Sequence, residues 1–331
     1  MTNVLIYSDE HRNISALKEC NDIDNEIISL KEKYHCDTVI SLGDNFDSIK
    51  PSSQELDQFA KFIKKLNCKL IIIAANSHES TTQEESILNH YGILSNNVTI
   101  VKEYKDGNHL YCGHFSIKES SNNYGAKLSK EDFKNYLYVF LGHVHSYQLI
   151  KPNIVQLGSS RYVSFDEVED KAKIVALITD YGTEREKCHF MKLKSPIPMV
   201  QLELGKNEIS KAQNEAQNPK SSISEGQSAS NLRQFNDISA ISSYLSNLDP
   251  KTKVKVKIMD FESFRQFLPL VNKYSYKFEV FKYETNFEVV SVNNQKCKDT
   301  ETKSFKESFL NWLKNQKIDE KIMQILQKEI E

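Results

Sequence analysis

The chain has 331 residues, 39% hydrophobic and 27% charged, which is enough for two domains and a sizeable core. Its 43 Lys and Arg against 45 Asp and Glu leave a net charge of -2, so a nucleic-acid partner would need a local patch or a metal site rather than bulk basicity. No apolar run reaches the roughly 18 residues of a membrane span, and the first nine residues lack the n- and h-regions of a secretory signal.

Residues 3–8 read as a buried strand. Ile23, Ile27, Ile28 and Leu30 give a helical stripe over 21–34, and a strand follows at 38–42. Leu56, Phe59, Phe62, Ile63 and Leu66 repeat the helical spacing over 53–66, ahead of an apolar strand at 69–74. Strand–helix–strand–helix–strand with nearly all-apolar strands predicts parallel pairing, with both sheet faces covered. Strands are then expected at 98–104, 109–113, 137–141, 153–157, 173–179 and 188–193, with little helix between them. The six scattered cysteines include no CxxC pair, so neither a zinc ribbon nor a disulfide framework is expected. A soluble protein of a reducing, cytoplasmic compartment is the expectation.

Ser195-Pro196-Ile197-Pro198 punctuates the chain and closes a first domain over 1–195. A strand at 199–204 opens a second domain over 196–290, interrupted near 206–234 by a polar stretch expected to be a mobile insertion. Beyond it, Ile238, Ile241 and Leu245 predict a short helix, and 253–258 alternates strictly as a half-buried strand. A helix over 261–271 and a strand over 276–281 complete a small β-α-β-α-β module. Residues 300–331 carry two apolar stripes, one through Phe305, Phe309 and Trp312 and one through Ile318, Ile322 and Ile325, and read as a helical hairpin.

Five segments fall where strands end: Asp9-Glu10-His11, Gly43-Asp44-Asn45-Phe46-Asp47, Asn76-Ser77-His78-Glu79, Gly113-His114 and Gly142-His143-Val144-His145. Alone, Asp9-x-His11 and Gly113-His114 read as chance pairs or loop histidines and Gly43-Asp44 as a turn or a site, whereas Gly142-His143-Val144-His145 is more specific, since alternating histidines leave a strand on one face. Ligands in open α/β sheets bind beyond the carboxyl ends of strands, so these loops would collect carboxylates and imidazoles in one place. That donor set suits first-row divalent metals and is too large for one tetrahedral zinc. Two ions sharing a carboxylate would use it, and such a pair suits in-line attack on a phosphoester.

The order D-x-H, G-D-x-x-D, N-H-[DE], G-H, G-H-x-H is similar to that of the calcineurin-like metallophosphoesterase superfamily. Val155-Gln156-Leu157-Gly158-Ser159-Ser160 with Phe165-Asp166-Glu167, the strand at 173–178, and Pro196-Ile197-Pro198-Met199 resemble, more narrowly, the SbcD-like nuclease subunits of DNA repair, phage recombination endonucleases included. The resemblance covers residues 3–204 in sequence and the rest in architecture only. It implies a four-layer α/β sandwich, two sheets flanked by helices, with a small α/β cap and the C-terminal helical hairpin.

The resemblance further implies that Asp9, His11, Asp44 and His145 hold one metal. Asp44 would bridge to a second, held by His114, His143 and Ser77, with His78 as the catalytic histidine. Asp47 is expected near the site without ligating. The chain departs from the family's Gly-Asn-His-Asp at Asn76-Ser77-His78-Glu79: an ungapped register places Ser77 at the metal-binding Asn, whereas a local bulge would place Asn76 there. Two divalent ions, manganese by resemblance, are the implied cofactors.

The implied activity is a DNA nuclease, exonucleolytic on duplex ends and endonucleolytic on single strands or hairpins. It would act in a bacterial or phage-infected cell, pairing as a homodimer and docking an SbcC-like coiled-coil ATPase through the hairpin. Lys251, Lys253, Lys255 and Lys257 share one strand face; they are either a solvated face or possible DNA contacts, with Lys253, Lys255 and Lys257 tracking phosphates. The hairpin either packs on its own domain or docks the partner. Two rival functions stand beside the nuclease: a small-molecule phosphodiesterase or phosphomonoesterase on the same site, and a catalytically weakened DNA-end-binding subunit.

Overall fold

The computed structural model describes residues 2–74, 88–204, 232–235, 238–249, 251–258, 267, 270 and 278–283. The chain divides into two compact units, Met1–Ile197 and Pro198–Glu331.

The first unit opens with β1 (Thr2–Tyr7), α1 (Leu17–Lys33), β2 (Cys36–Ser41), α2 (Ser53–Leu66) and β3 (Lys69–Ile73). Helix α1 starts ahead of its predicted stripe, because a 3-10 turn at Ile14–Ala16 launches it; the Asn13 side chain caps that turn by accepting from Ala16 N at 3.0 Å. Helix α2 keeps its predicted bounds for local reasons. Ser52 and Glu55 form a reciprocal capping box, and Asn67 ends the helix in a left-handed conformation.

The first sheet runs β11-β10-β1-β2-β3-β4, adding β4 (Val98–Val101), β10 (Ile174–Tyr181) and β11 (Lys187–Lys192). Strands β1 to β4 pair in parallel, while β10 and β11 pair antiparallel at one edge. The second sheet runs β5-β6-β7-β9-β8, from β5 (Tyr104–Asp106), β6 (Leu110–His114), β7 (Tyr138–Gly142), β8 (Gln148–Lys151) and β9 (Ile154–Gln156). The single strand predicted over 98–104 is therefore two short ones, because the chain passes from the first sheet to the second at Lys102-Glu103. Strand β8 and the short helix α3 (Asn89–Leu94) are additions to the predicted set.

Side-chain parity assembles the layers. Val4, Ile6, Ile40, Ile71 and Ile73 face Cys112, Phe140 and Val155 of the second sheet, forming an inter-sheet core. Their neighbours Leu5, Tyr7, Val39, Leu70 and Ile72 point the other way, onto Ile23 and Ile27 of α1 and Phe59 and Phe62 of α2. This two-sided burial is why these strands read as continuous apolar runs. On the outer face of the second sheet, Tyr111, Val139 and Leu141 pack against Ile117 and Phe133, the latter on a 3-10 turn at Lys130–Phe133. The unit is an α/β sandwich of two mixed sheets with helical elements outside.

The second unit contains β12 (Met199–Leu204), β13 (Leu232–Phe235), α4 (Ile238–Asn247), β14 (Lys253–Ile258) and β15 (Phe278–Tyr283). Its sheet is entirely parallel, in the order β13-β12-β14-β15. Val254 and Val256 are buried, and Lys253 and Lys255 on the opposite parity are half-buried. Within the polar stretch near 206–234, part of which is expected to be an insertion, Leu232–Phe235 pairs in parallel along β12. The remainder of that stretch, most of the predicted helix over 261–271, the side chain of Lys257 and the hairpin over 300–331 lie outside the described residues.

Candidate metal centre

The carboxyl ends of β1, β2, β6 and β7 lie together, and each delivers chemistry directly after an apolar strand. The loops after β1 and β2 extend the parallel ladder: Asp9 N donates to Gly43 O at 3.0 Å, His11 N to Asp44 O at 2.8 Å and Arg12 N to Asn45 O at 2.9 Å. The two loops are therefore held in fixed register. Within them Asp9, His11 and Asp44 take left-handed backbone conformations, with φ of 47°, 47° and 46°, and His143 follows with φ of 85°. Non-glycine residues adopt this region at a cost, and such strain concentrates at functional sites.

The glycines of the motifs have a steric reason. A Cβ on Gly142 would stand 2.6 Å from Ser8 Oγ and 2.9 Å from both His114 Nδ1 and Leu42 O. A Cβ on Gly43, whose φ is +109°, would stand 2.7 Å from His114 Nδ1. The two glycines thus leave the space that the His114 ring occupies.

Two clusters result: Asp9 with His11 and His145, and Asp44 with His114 and His143, the candidate ligand atoms of each lying within 4.8 Å of one another. His11 Nε2 and His145 Nε2 approach to 2.9 Å. Two nitrogens bound to one ion at about 2.1 Å and at right angles stand about 3 Å apart, so this spacing fits a shared ion. Asp44 Oδ2 lies 3.5 Å from His11 Nε2 and 3.3 Å from His114 Nε2, between the clusters. Asp9 accepts from His143 N through both carboxylate oxygens, at 3.0 and 3.1 Å, and also from Ser8 Oγ.

The outward nitrogens of three imidazoles each face an oxygen. His114 Nδ1 meets Leu42 O at 2.8 Å, His145 Nδ1 meets Glu167 Oε1 at 3.1 Å, and His11 Nδ1 lies 3.3 Å from Asp47 Oδ1. A carbonyl can only accept, so His114 carries its proton on Nδ1 and turns Nε2 inward. Metal-ligating histidines are oriented by oxygen partners of this kind. The donor set and its orientation fit two divalent ions.

The electrostatics agree. Burial by itself lowers the His114 pKa, but Asp9, Asp44 and the Leu42 carbonyl outweigh it and raise it to about 9. His143 is lowered, by burial first and then by its neighbour His114. His145 is raised, since Glu167 and Asp9 overcome its burial. Glu167 is itself lowered to about 2: burial opposes ionisation, but the hydrogen bond from His145 and the Lys173 ammonium prevail.

Beneath the centre lies a buried polar framework. The Arg161 guanidinium donates to the carbonyl oxygens of Glu10 at 2.6 Å and His11 at 2.7 Å, clamping the first loop. Glu10 turns away from the clusters and, with Asp24, accepts from Arg12 Nη2 at 2.8 Å. Glu167 also accepts from Ser159 Oγ, Lys173 Nζ and the Val163 and Ser164 amides. Ser160 N donates to Ser8 O at 2.8 Å, joining the Gly-Ser-Ser segment to the first metal loop.

Asp9, His11, Asp44, His114, His143 and His145 are thus brought together, with Asp47 beside His11. Asn76, Ser77 and His78 lie outside the described residues, and Lys253 and Lys255 belong to the second unit. No ligand or catalytic motif singles out Glu167, Arg161 or Lys173. The only signal for Glu167 was its place in the Phe165-Asp166-Glu167 motif.

No family model and no curated protein matches the chain. Among solved structures it is similar to a novel archaeal phosphodiesterase, with 14% identity and a TM-score of 0.39 over 58% of this chain and all of that one. It is also similar to the nuclease MPE of Pseudomonas putida, with 17% identity and a TM-score of 0.30 over 44% of this chain and 62% of that one. Likeness at this level carries no functional weight, and the assignment rests on the chain's own geometry. Among the described residues no helix is long and apolar enough to cross a membrane. The sheet order and the two ligand clusters together make the first unit an α/β sandwich consistent with a metallophosphoesterase-like fold, with two candidate metal-binding clusters.

Proposed function

We propose that the chain is a metal-dependent phosphodiesterase. The observation that carries this reading is the position of Asp44 Oδ2 between His11 Nε2 and His114 Nε2, which makes one carboxylate common to both clusters. Asp9, His11, Asp44 and His145 would hold one ion, and Asp44, His114 and His143 the other. When bound, such a pair supplies Lewis acidity to a phosphoryl oxygen and a water of lowered pKa for in-line attack. The protein's part is orientation: the Leu42 carbonyl and the Glu167 carboxylate fix His114 and His145, and Arg161 fixes the loop carrying Asp9 and His11. His78 is the candidate proton donor to the leaving oxygen, assigned from its motif alone.

A second reading is an SbcD-like DNA nuclease subunit, pairing with a second copy and docking an SbcC-like ATPase through residues 300–331. It is favoured by the Gly158-Ser159-Ser160 and Phe165-Asp166-Glu167 segments, which resemble that family and pack on the metal loops through Ser160 and Glu167.

The test is hydrolysis by the full chain of bis(p-nitrophenyl) phosphate, p-nitrophenyl phosphate and end-labelled duplex, with manganese, magnesium or EDTA. Manganese-dependent turnover of the diester, lost in Asp44→Ala, is expected. Preferential duplex cleavage would favour the second reading. Metal-independent turnover, or none on any of the three, would contradict the proposal.

A further inference from the structure

Beside the second cluster the first unit holds a concave pocket of about 460 Å³, whose described lining includes His114, His143, Phe115, Tyr124, Lys127 and Leu128. This volume falls within the range of sites that enclose small ligands and is far too small for a duplex. The lining is mainly apolar and aromatic, with one ammonium, and two of its members are candidate metal ligands. Because His114 and His143 line it, a group seated here would adjoin the second cluster.

The far wall is a built loop. Lys118 N donates to Leu128 O at 3.0 Å and closes it, and Asn123 Nδ2 donates to Lys118 O at 2.7 Å across it. Two glutamines of the second sheet anchor its base: Gln156 Nε2 donates to Ser120 Oγ at 3.0 Å and to Phe115 O at 3.1 Å, and Ser121 N donates to Gln148 Oε1 at 2.8 Å. Within this loop Tyr124 is 97% exposed and Leu128 38% exposed. A tyrosine ring presented to solvent at the mouth of an apolar pocket offers a stacking face for a planar ring. Lys127 adds one cation to the lining.

We propose that this pocket binds the nucleobase of a nucleotide phosphoester, so that the substrate offers one unpaired base to the site. The inference rests on the phosphodiesterase reading and narrows its substrate class to nucleotides, whether a free nucleotide or the frayed end of a strand. It excludes the interior of an intact duplex.

The test compares AMP with ribose 5-phosphate by calorimetric titration of the full chain in manganese, for wild type and Tyr124→Ala. The exposure of Tyr124 leaves folding of the variant intact. AMP is expected to bind at least about tenfold more tightly than ribose 5-phosphate, with that ratio falling towards one in the variant. Equal affinity of AMP and ribose 5-phosphate for wild type, or a ratio unmoved by the substitution, overturns the pocket assignment. A parallel titration with manganese alone reports on the metal centre, so failure of the two-metal reading shows there and not in the ratio. A single-stranded trinucleotide distinguishes the sources: affinity above that of AMP assigns the pocket to strand ends, affinity below it to free nucleotides, and either supports base binding.

Discussion

Replacing Glu167 by Gln tests how the centre is oriented. The carboxylate accepts from His145 Nδ1 at 3.1 Å through Oε1, while Oε2 faces Ser159 Oγ at 2.8 Å and the buried Lys173 ammonium. Gln retains an oxygen for one side but sets an amide NH2 against a donor on the other, and it withdraws the charge that makes His145 a stronger ligand. Loss of such an outer carboxylate costs about 10- to 100-fold in metal affinity, or about 1.4–2.7 kcal/mol, at the site it serves. It also costs stability. The fall of the Glu167 pKa from 4.5 to about 2 corresponds to on the order of 3 kcal/mol. Because the folded value is depressed, that contribution is present above pH 4.5 and disappears as pH falls through 2.

Calorimetric titration with manganese at pH 7.5 measures the first quantity and thermal melting the second. In Glu167→Gln one binding event should weaken 10- to 100-fold while the other stays within about threefold. The control is Lys173→Met, which breaks the same buried ion pair but leaves Glu167 on His145. It should lower Tm and move manganese affinity by less than about threefold. Unchanged affinities in Glu167→Gln, or equal losses in both variants, would refute the orientation reasoning and leave only a stabilising ion pair.

Three further outcomes follow from the same geometry. His114, raised to about 9 in the metal-free protein, must lose its inward proton to bind metal; manganese affinity should weaken about tenfold for each pH unit below 9, and titrations in buffers of different ionisation enthalpy should show proton release, whereas a flat affinity from pH 7 to 8.5 would contradict the assignment. Gly142→Ala forces a methyl to within 2.6 Å of Ser8 Oγ and 2.9 Å of Leu42 O and should cost about 1–3 kcal/mol in urea unfolding, a neutral effect showing instead that Ser8, His114 and the Leu42 backbone give way without cost. Arg12→Met strands Glu10 and Asp24 without their cation and should cost about 3–5 kcal/mol by urea denaturation, and a loss below about 1 kcal/mol would show that the pair is solvated.

The parts of the fold legible in sequence are those whose pattern is local. Strands β1, β2 and β3 are apolar on both parities because one face packs on α1 and α2 and the other on the second sheet, and that produces an unmistakable run. The capping box at Ser52 and Glu55 fixes α2 in the same local way. Strand β8 escaped because Gln148-Leu149-Ile150-Lys151 is a short edge strand with polar ends. Strand β13 is not legible because its ladder partner, β12, is distant in sequence.

The six ligand candidates are legible because each lies at or just beyond a strand end, with glycine beside three of them. Their supporting residues are not. Nothing local to Glu167 or Arg161 shows that one meets His145 and the other the backbone of His11; only the juxtaposition of β1, β7 and the 158–167 segment does so.

The most direct test of the central claim is a manganese titration of the metal-free full chain, read by electron paramagnetic resonance alongside turnover of bis(p-nitrophenyl) phosphate. Two manganese ions per chain, a spin-coupled spectrum at the second equivalent, turnover rising with that equivalent, and loss of both coupling and turnover in Asp44→Ala are predicted. Binding of a single ion, or two uncoupled ions whose occupancy leaves turnover unchanged, would contradict a centre built around one shared carboxylate.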